Sequence, residues 1–351
     1  MRILVATDAW RPQVNGVVRT YERLGEAVER QGSSLVILSP SDFRTLPCPT
    51  YPEIRLALPA RGRCAGLVEK LAPDAIHIAT EGPVGWMVRA YCLRKGIPFT
   101  TSFHTRFPEY LASRFAIPER WTYAVQRRFH NAGAGIMVAA RSLAADLEAR
   151  GFVKLMAWTR GVESALFCPR PVRRFGAGPV FLYVGRIAVE KNIEAFLRLD
   201  LPGRKVVVGD GPQLAEMKRC FPAATFIGDR EGEDLALCYA SADVFVFPSR
   251  TDTFGMVLLE AMATGLPVAA FPVTGPLDLV ASGTSGVLSE DLREAALEAL
   301  RLDRSRGRAR ALEFSWDGAA RQFLANIESA RSVKDGRQAL WMEPRRRPRS
   351  A

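Results

Sequence analysis

No uninterrupted apolar run in this 351-residue chain reaches the roughly 18–20 residues that a bilayer-spanning helix requires. The opening MRILVATDAW is a short strand-like run without the layout of a secretion signal. None of the six cysteines forms a C-x-x-C pair, which is the pattern of reduced structural thiols in a cytoplasmic protein. Neither G-x-G-x-x-G nor G-x-x-x-x-G-K-[ST] occurs, so neither a dinucleotide fingerprint nor a P-loop is supported. There is no short-period repeat, and only three histidines are available for chemistry.

What is present is an ordinary globular balance, 48% hydrophobic and 24% charged, long enough for two domains. The net charge of +11 suits anionic partners. The last 21 residues carry seven Lys or Arg against two acids and are expected to be disordered. No helix-turn-helix or stacking platform accompanies the charge, so no nucleic-acid partner is expected.

Short β-rich runs alternate with helical stretches: RILVATD, LVILSP, AIHIAT, PFTTSF and GIMVAA, then VFLYVGR, KVVVGDG, ATFIGD, VFVFPS and PVAAF. Val17, Tyr21, Leu24 and Val28 recur at helical spacing after the first run, and Gly32 can end that helix. Between the two series, LFCPRPVRRFGAGP has a linker's composition. The pattern predicts an α/β protein of two Rossmann-like, doubly wound domains facing a cleft. The expected bounds are residues 1–165 and 179–317, joined by 166–178. A helix over 318–331 is expected to pack back on the first domain, ahead of a basic tail over 332–351.

In open α/β sheets, ligands bind beyond the carboxyl ends of the strands. Polar residues gather in those loops. In GRIAVEKN, Arg186 and Lys191 suit a diphosphate. In QVNGVV, Gly16 would let backbone approach a phosphate at a helix start. His104 in SFHTRFPEY sits at a strand end and suits a hydrogen bond to a sugar hydroxyl or phosphate, whereas His77 reads as an interior strand residue. In SRTDTFGMVLLEAMATGLP, a helix should start near Gly255 and stop at Gly265. Asp252 lies ahead of that helix and Glu260 just over one turn inside it. Two carboxylates flanking a helix N-terminus can accept hydroxyl donors on either side of an anion. There is no D-x-D to hold a metal on a diphosphate. Leaving-group charge would then fall to Arg186, Lys191 and that N-terminus.

These stretches, with RGVESALFCP and VGDGP, resemble the retaining glycosyltransferases of family 4, which have the GT-B fold. The likeness spans nearly all of residues 1–330 and is closest to bacterial lipid α-mannosyltransferases and sulfoquinovosyl- and glucosyl-lipid synthases. It implies a hexose donor, GDP-mannose or a UDP-hexose, and a lipid or glycan acceptor, with no cofactor and no metal site. Arg186 and Lys191 would hold the diphosphate, and Gly16 would approach it by backbone. Asp252 would hold donor-sugar hydroxyls, and Phe254, Gly255 and Met256 would present backbone. Glu260 would bind the ribose, Gly228 in FIGDR would lie near the base, and His104 would lie near acceptor and donor sugar. Domain closure would exclude water.

Two departures stand out. Asp252 replaces the commoner Glu, one methylene shorter, and Glu163 stands where the family usually has Asp. Rival readings are a GT-B-fold sugar-nucleotide epimerase, a silent sugar-nucleotide sensor, and hydrolase-type acid/base work by the two acids. Ser113 to His130 mixes Arg with Trp, Tyr and Phe, which suits either an anionic membrane face or a packed helix with solvated arginines.

Overall fold

The computed structural model describes residues 1–13, 15–48, 51–109 and 118–332, the side chains of 51–53 aside. Tyr110, the start of the basic aromatic segment (113–117) and the tail from residue 333 onward lie outside the described residues. The chain forms two compact units. The first comprises residues 1–104, 118–159 and 320–332, and the second residues 105–109 and 160–319.

The first unit is built on a six-stranded sheet. Its strands are β1 (Arg2–Ala6), β2 (Ser34–Leu38), β5 (Ala75–Ile78), β6 (Phe99–Ser102), β7 (Gly135–Val138) and β8 (Leu155–Ala157), in the order β2-β1-β5-β6-β7-β8. Every pairing is parallel; Leu4, for example, pairs with Val36 on one side and Ile76 on the other. Strands β5, β6 and β7 are buried along their whole length, as parallel strands covered on both faces must be. Two strands the sequence reading missed, β3 (Thr45–Cys48) and β4 (Tyr51–Ala57), form a separate antiparallel pair. Each contains a proline, which normally argues against a strand. A two-stranded ribbon tolerates it because both strands are edges.

The helix Gly16–Glu29 follows β1. Asn15 caps it, its Oδ1 accepting from the N–H groups of Val17 and Val18 at 3.0 Å each. Tyr21, Leu24 and Val28 face the core as their spacing predicts, with Val18 rather than Val17 as the fourth buried member. Gly96, at φ +65°, ends the helix Pro83–Lys95. Near the end of the chain, Phe323 lies against the rings of His77 and Trp158 at 5.1 and 5.2 Å, and Asn326 donates to the Ala157 carbonyl.

The second unit has its own parallel sheet. Its strands are β9 (Val180–Val184), β10 (Arg204–Val208), β11 (Thr225–Gly228), β12 (Val244–Phe247), β13 (Val268–Ala270) and β14 (Gly286–Leu288), in the order β11-β10-β9-β12-β13-β14. This is the Rossmann order, counted within the unit as 3-2-1-4-5-6. Strands β9, β12 and β13 are wholly buried. β8 and β14, three residues each, complete the sheets at their edges and were not read from the sequence.

All six cysteines are reduced. Burial pushes the Cys64 and Cys92 thiols up to about 11 and about 12, so both stay protonated and behave as small apolar groups.

Candidate active site

In the second unit the chain leaves β9 toward β10 on one side and later returns to β12 on the other. The topological switch of this sheet therefore lies between the loops after β9 and β12, the place where open α/β sheets bind ligands. Three hydrogen bonds tie the two loops together. Asn192 Nδ2 donates to the Pro248 carbonyl at 3.0 Å, and Thr251 and Ser249 hydroxyls donate to the Glu190 carbonyl at 3.1 and 3.5 Å. The Tyr183 phenol donates to the Arg186 carbonyl at 2.8 Å. Burial, reinforced by the charges of Asp252 and Glu190, holds that phenol well above its ordinary pKa, so it stays a donor. Gly209 shapes the same edge: a Cβ there would lie 2.0 Å from the Gly185 carbonyl, while its own N–H donates to the Gly228 carbonyl.

These ties bring Lys191 and Asp252, 61 residues apart, into an ion pair with side chains 24% and 17% exposed. Asp252 Oδ2 is buried and makes no hydrogen bond. A carboxylate oxygen in that state is costly until a donor reaches it. The helix Met256–Ala263 begins just beyond. Gly255 turns into it at φ +88°, where a Cβ would meet Leu258 at 2.9 Å, and as a glycine it brings no capping side chain of its own. Glu260, 7% exposed, accepts a 2.9 Å hydrogen bond from the Tyr239 phenol. Phe254, which precedes Gly255, is buried, and Arg186 is exposed in the loop after β9.

In the first unit the corresponding switch lies between β1 and β5. Asp8, just after β1, reaches the start of the helix Pro83–Lys95. Its carboxylate accepts from the Val84 and Gly85 N–H groups at 2.8 and 3.3 Å and from the Thr80 hydroxyl at 2.9 Å. The residue keeps some exposure, but its carboxyl end is enclosed: a Cβ on Gly82 would lie 2.4 Å from Asp8 Cγ. Burial outweighs those hydrogen bonds and pushes Asp8 up to about 6, helped by the charge of Glu81. Glu81 itself accepts from buried His130 at 2.9 Å and from Gln126 at 3.2 Å. His104, after β6, sits with its Nε2 3.1 Å from the Tyr21 phenol, one turn into the helix that Gly16 opens. A Cβ on Gly16 would meet nothing within 4 Å, so its own unit does not require a glycine there.

Asp8 gives a pH dependence with a definite sign. The folded state holds this proton more tightly than the unfolded chain does, whose carboxyl titrates near 3.8. Its contribution to stability is complete below about pH 4 and is lost as pH rises through about 6, by about 3 kcal/mol in all. Denaturant titrations of wild type and Asp8→Asn from pH 3.5 to 7.5 should therefore diverge over that window, with wild type declining relative to the variant. Parallel curves would remove Asp8 as the cause.

Two family descriptions match the chain: "Glycosyltransferase Family 4" over residues 14–166 and "Glycosyl transferases group 1" over 178–302. A GDP-mannose-dependent alpha-mannosyltransferase of Mycolicibacterium smegmatis is 30% identical over 330 residues, covering 85% of this chain and 87% of that one. The chain belongs to glycosyltransferase family 4. A sulfoquinovosyl transferase of Arabidopsis thaliana is likewise 30% identical, over 78% of this glycosyltransferase and 60% of the plant protein's length. The fold matches that of a sucrose-phosphate synthase from Thermosynechococcus elongatus at a TM-score of 0.77, with 21% identity over 95% of this chain and 99% of that one. The two parallel-sheet units are thus those of the GT-B class.

Of the residues singled out from sequence, the glycosyltransferase places Arg186, Lys191, Gly228, Asp252, Phe254, Gly255, Met256 and Glu260 in its second unit and Gly16 and His104 in its first. Lys191 and Asp252 meet directly, and the Gly228 and Gly209 backbones are hydrogen-bonded at neighbouring strand ends. Asn15 already occupies two N–H groups at the Gly16 helix start, which narrows what a phosphate can take there. Asp8, Tyr21, Glu81 and Tyr239 were given no role from sequence. Asp8 alone left a signal, an acid directly after the first strand at a ligand-binding edge.

Proposed function

We propose that this enzyme transfers a hexose, with mannose from GDP-mannose as the favoured donor, to a hydroxyl of a lipid or glycan acceptor, without a metal and with retention. The observation that carries the donor assignment is the Lys191–Asp252 pair at the switch point of the second sheet, with Asp252 Oδ2 buried and lacking a hydrogen bond. A diphosphate sugar offers Lys191 an anion, and its hydroxyls offer donors to Asp252 and Glu260. The preference for GDP-mannose rests on the three mycobacterial and corynebacterial relatives bearing that description. A UDP-sugar-dependent glycolipid synthase is the second reading. It is favoured by the sulfoquinovosyl relative and by an alpha-monoglucosyldiacylglycerol synthase of Streptococcus pneumoniae that is 26% identical.

In the reaction, the bond from the anomeric carbon to the diphosphate oxygen breaks. Charge gathers on that oxygen and is met by Arg186, Lys191 and the start of the Met256–Ala263 helix. The acceptor hydroxyl attacks from the same face, and its proton passes to the departing phosphate. Asp252 holds sugar hydroxyls and Glu260 the ribose. His104 hydrogen-bonds sugar or phosphate, and Gly16 and Gly228 contribute close backbone.

A thermal-shift screen of GDP-mannose, UDP-glucose, UDP-galactose and UDP-sulfoquinovose tests the donor, with the largest stabilisation expected from GDP-mannose. Nucleotide release that requires an added acceptor would separate a transferase from an epimerase or a sensor.

The acceptor side has one surface argument. The helix Glu119–His130 buries Tyr123 and Phe129 but leaves Trp121 and Val125, one turn apart, 64% and 57% exposed beside exposed Arg120, Arg127 and Arg128. This face suits peripheral attachment to an anionic membrane. Co-sedimentation with anionic liposomes is expected to exceed that with neutral ones, and Trp121→Ser should reduce it several-fold. Equal partition to both lipids would rule out charge-driven attachment.

A further inference from the structure

Four polar side chains in the interior of the first unit form a continuous chain that ends on His104. His77 is fully buried against Trp158 and Phe323. Its Nδ1 lies 2.8 Å from Thr100 Oγ1, and its Nε2 lies 2.8 Å from Tyr21 Oη and 3.0 Å from Ser102 Oγ. Tyr21 Oη lies 3.1 Å from His104 Nε2 and 3.4 Å from Ser102 Oγ. Tyr21, Thr100 and Ser102 are each at most 2% exposed.

A neutral imidazole carries one N–H and one lone pair, and a phenol carries one proton. Tyr21 stands between two imidazole nitrogens and the Ser102 oxygen, so its proton can serve only one of the three. The tautomers of His77 and His104 are therefore coupled. In one arrangement His77 bears its proton on Nδ1 and donates to Thr100. The buried Thr100 hydroxyl proton is then left without an acceptor, since Thr100 makes no other side-chain hydrogen bond among the described residues. In the other, Thr100 donates to His77 Nδ1, and His77 Nε2–H points to Tyr21 and Ser102. Tyr21 then donates to His104 Nε2, its closer acceptor at 3.1 Å, and not to Ser102 Oγ at 3.4 Å, and the Ser102 hydroxyl proton turns to Tyr21 Oη. Every buried proton has an acceptor in the second arrangement, and leaving one without is costly.

We infer that Tyr21, set by His77 and Thr100, is a positioning residue that locks His104 as the Nδ1–H tautomer, so that His104 serves substrate oxygen as a hydrogen-bond donor and not as a proton acceptor. The tautomer follows from the interior network alone; its consequence for turnover rests on the proposed contact between His104 and the substrate. A donor is what a sugar hydroxyl oxygen or a phosphate oxygen needs. It also leaves the acceptor's proton to the departing phosphate.

With only three histidines in the chain, long-range 1H–15N spectra of the uniformly labelled full-length protein at pH 8 resolve each ring. Signals are assigned by their loss in His104→Gln and His130→Gln. The expected result is opposite tautomers: Nε2–H for His77 and Nδ1–H for His104. An Nε2–H signal for His104 in the wild-type protein would overturn the inference, whatever the kinetics show. Thr100→Val removes the proton that sets the chain, and Tyr21→Phe removes the link. In each, His104 should pass to a mixed tautomer, and an unchanged Nδ1–H signal in both would equally overturn it. In Tyr21→Phe, kcat should fall about tenfold with little change in donor KM, the size expected for one misdirected hydrogen bond. If His104→Gln turned over normally while the Nδ1–H signal was present, the lock would stand and only the proposed substrate contact of His104 would fail.

Discussion

Lys191→Ala is expected to lower donor turnover by about 10²–10³-fold, the range seen when one charge-stabilising donor is removed from a transition state. Two effects act together. On the proposed reading, the leaving diphosphate loses its ammonium partner. Asp252 loses its ion-pair partner while its second oxygen is already buried without a hydrogen bond. Lys191→Arg should recover only part of the rate, because a planar guanidinium does not replace a point charge on a flexible stem. Steady-state kinetics with the best donor of the thermal-shift screen, together with a melting curve to show that the variant is folded, give the answer. Near-normal kcat in folded Lys191→Ala would contradict the diphosphate role.

Glu260→Gln should weaken binding of the intact donor and of the plain nucleoside diphosphate by a similar factor, about 10–100-fold for lost hydrogen bonds to a charged acceptor. The amide oxygen can still accept from Tyr239, but the amide nitrogen offers hydrogens where a ribose also offers hydrogens. Isothermal titration with both ligands separates this from a sugar effect. A loss confined to sugar selectivity, with nucleoside diphosphate affinity intact, would show that Asp252 and Glu260 have exchanged roles.

The unevenness of what could be read from sequence has a physical basis. The central strands announce themselves because a parallel strand covered on both faces must be a run of apolar and β-branched residues, as VFVF and GIMV are. The β3–β4 ribbon escaped because Pro47 and Pro52 break that texture. Lys191, Asp252 and Glu260 stood out as charges in strand-end loops or in an apolar helix. Their supports did not. Tyr21 recurs with Leu24 and Val28 at core spacing, and its phenol gains meaning only when His77 and His104 arrive from 56 and 83 residues further along. Tyr239 reaches Glu260 from another helix, and no local pattern in its own segment marks it.

The Lys191–Asp252 contact also bears on the end of the catalytic cycle. On the proposed reading, intact donor separates the pair and compensates both members, giving phosphate oxygens to one and sugar hydroxyls to the other. Once the hexose has left, the remaining nucleoside diphosphate can still draw on Lys191 but has no hydroxyl for Asp252. The carboxylate then competes with the spent nucleotide for the same ammonium, and re-forming their contact favours product departure over product inhibition.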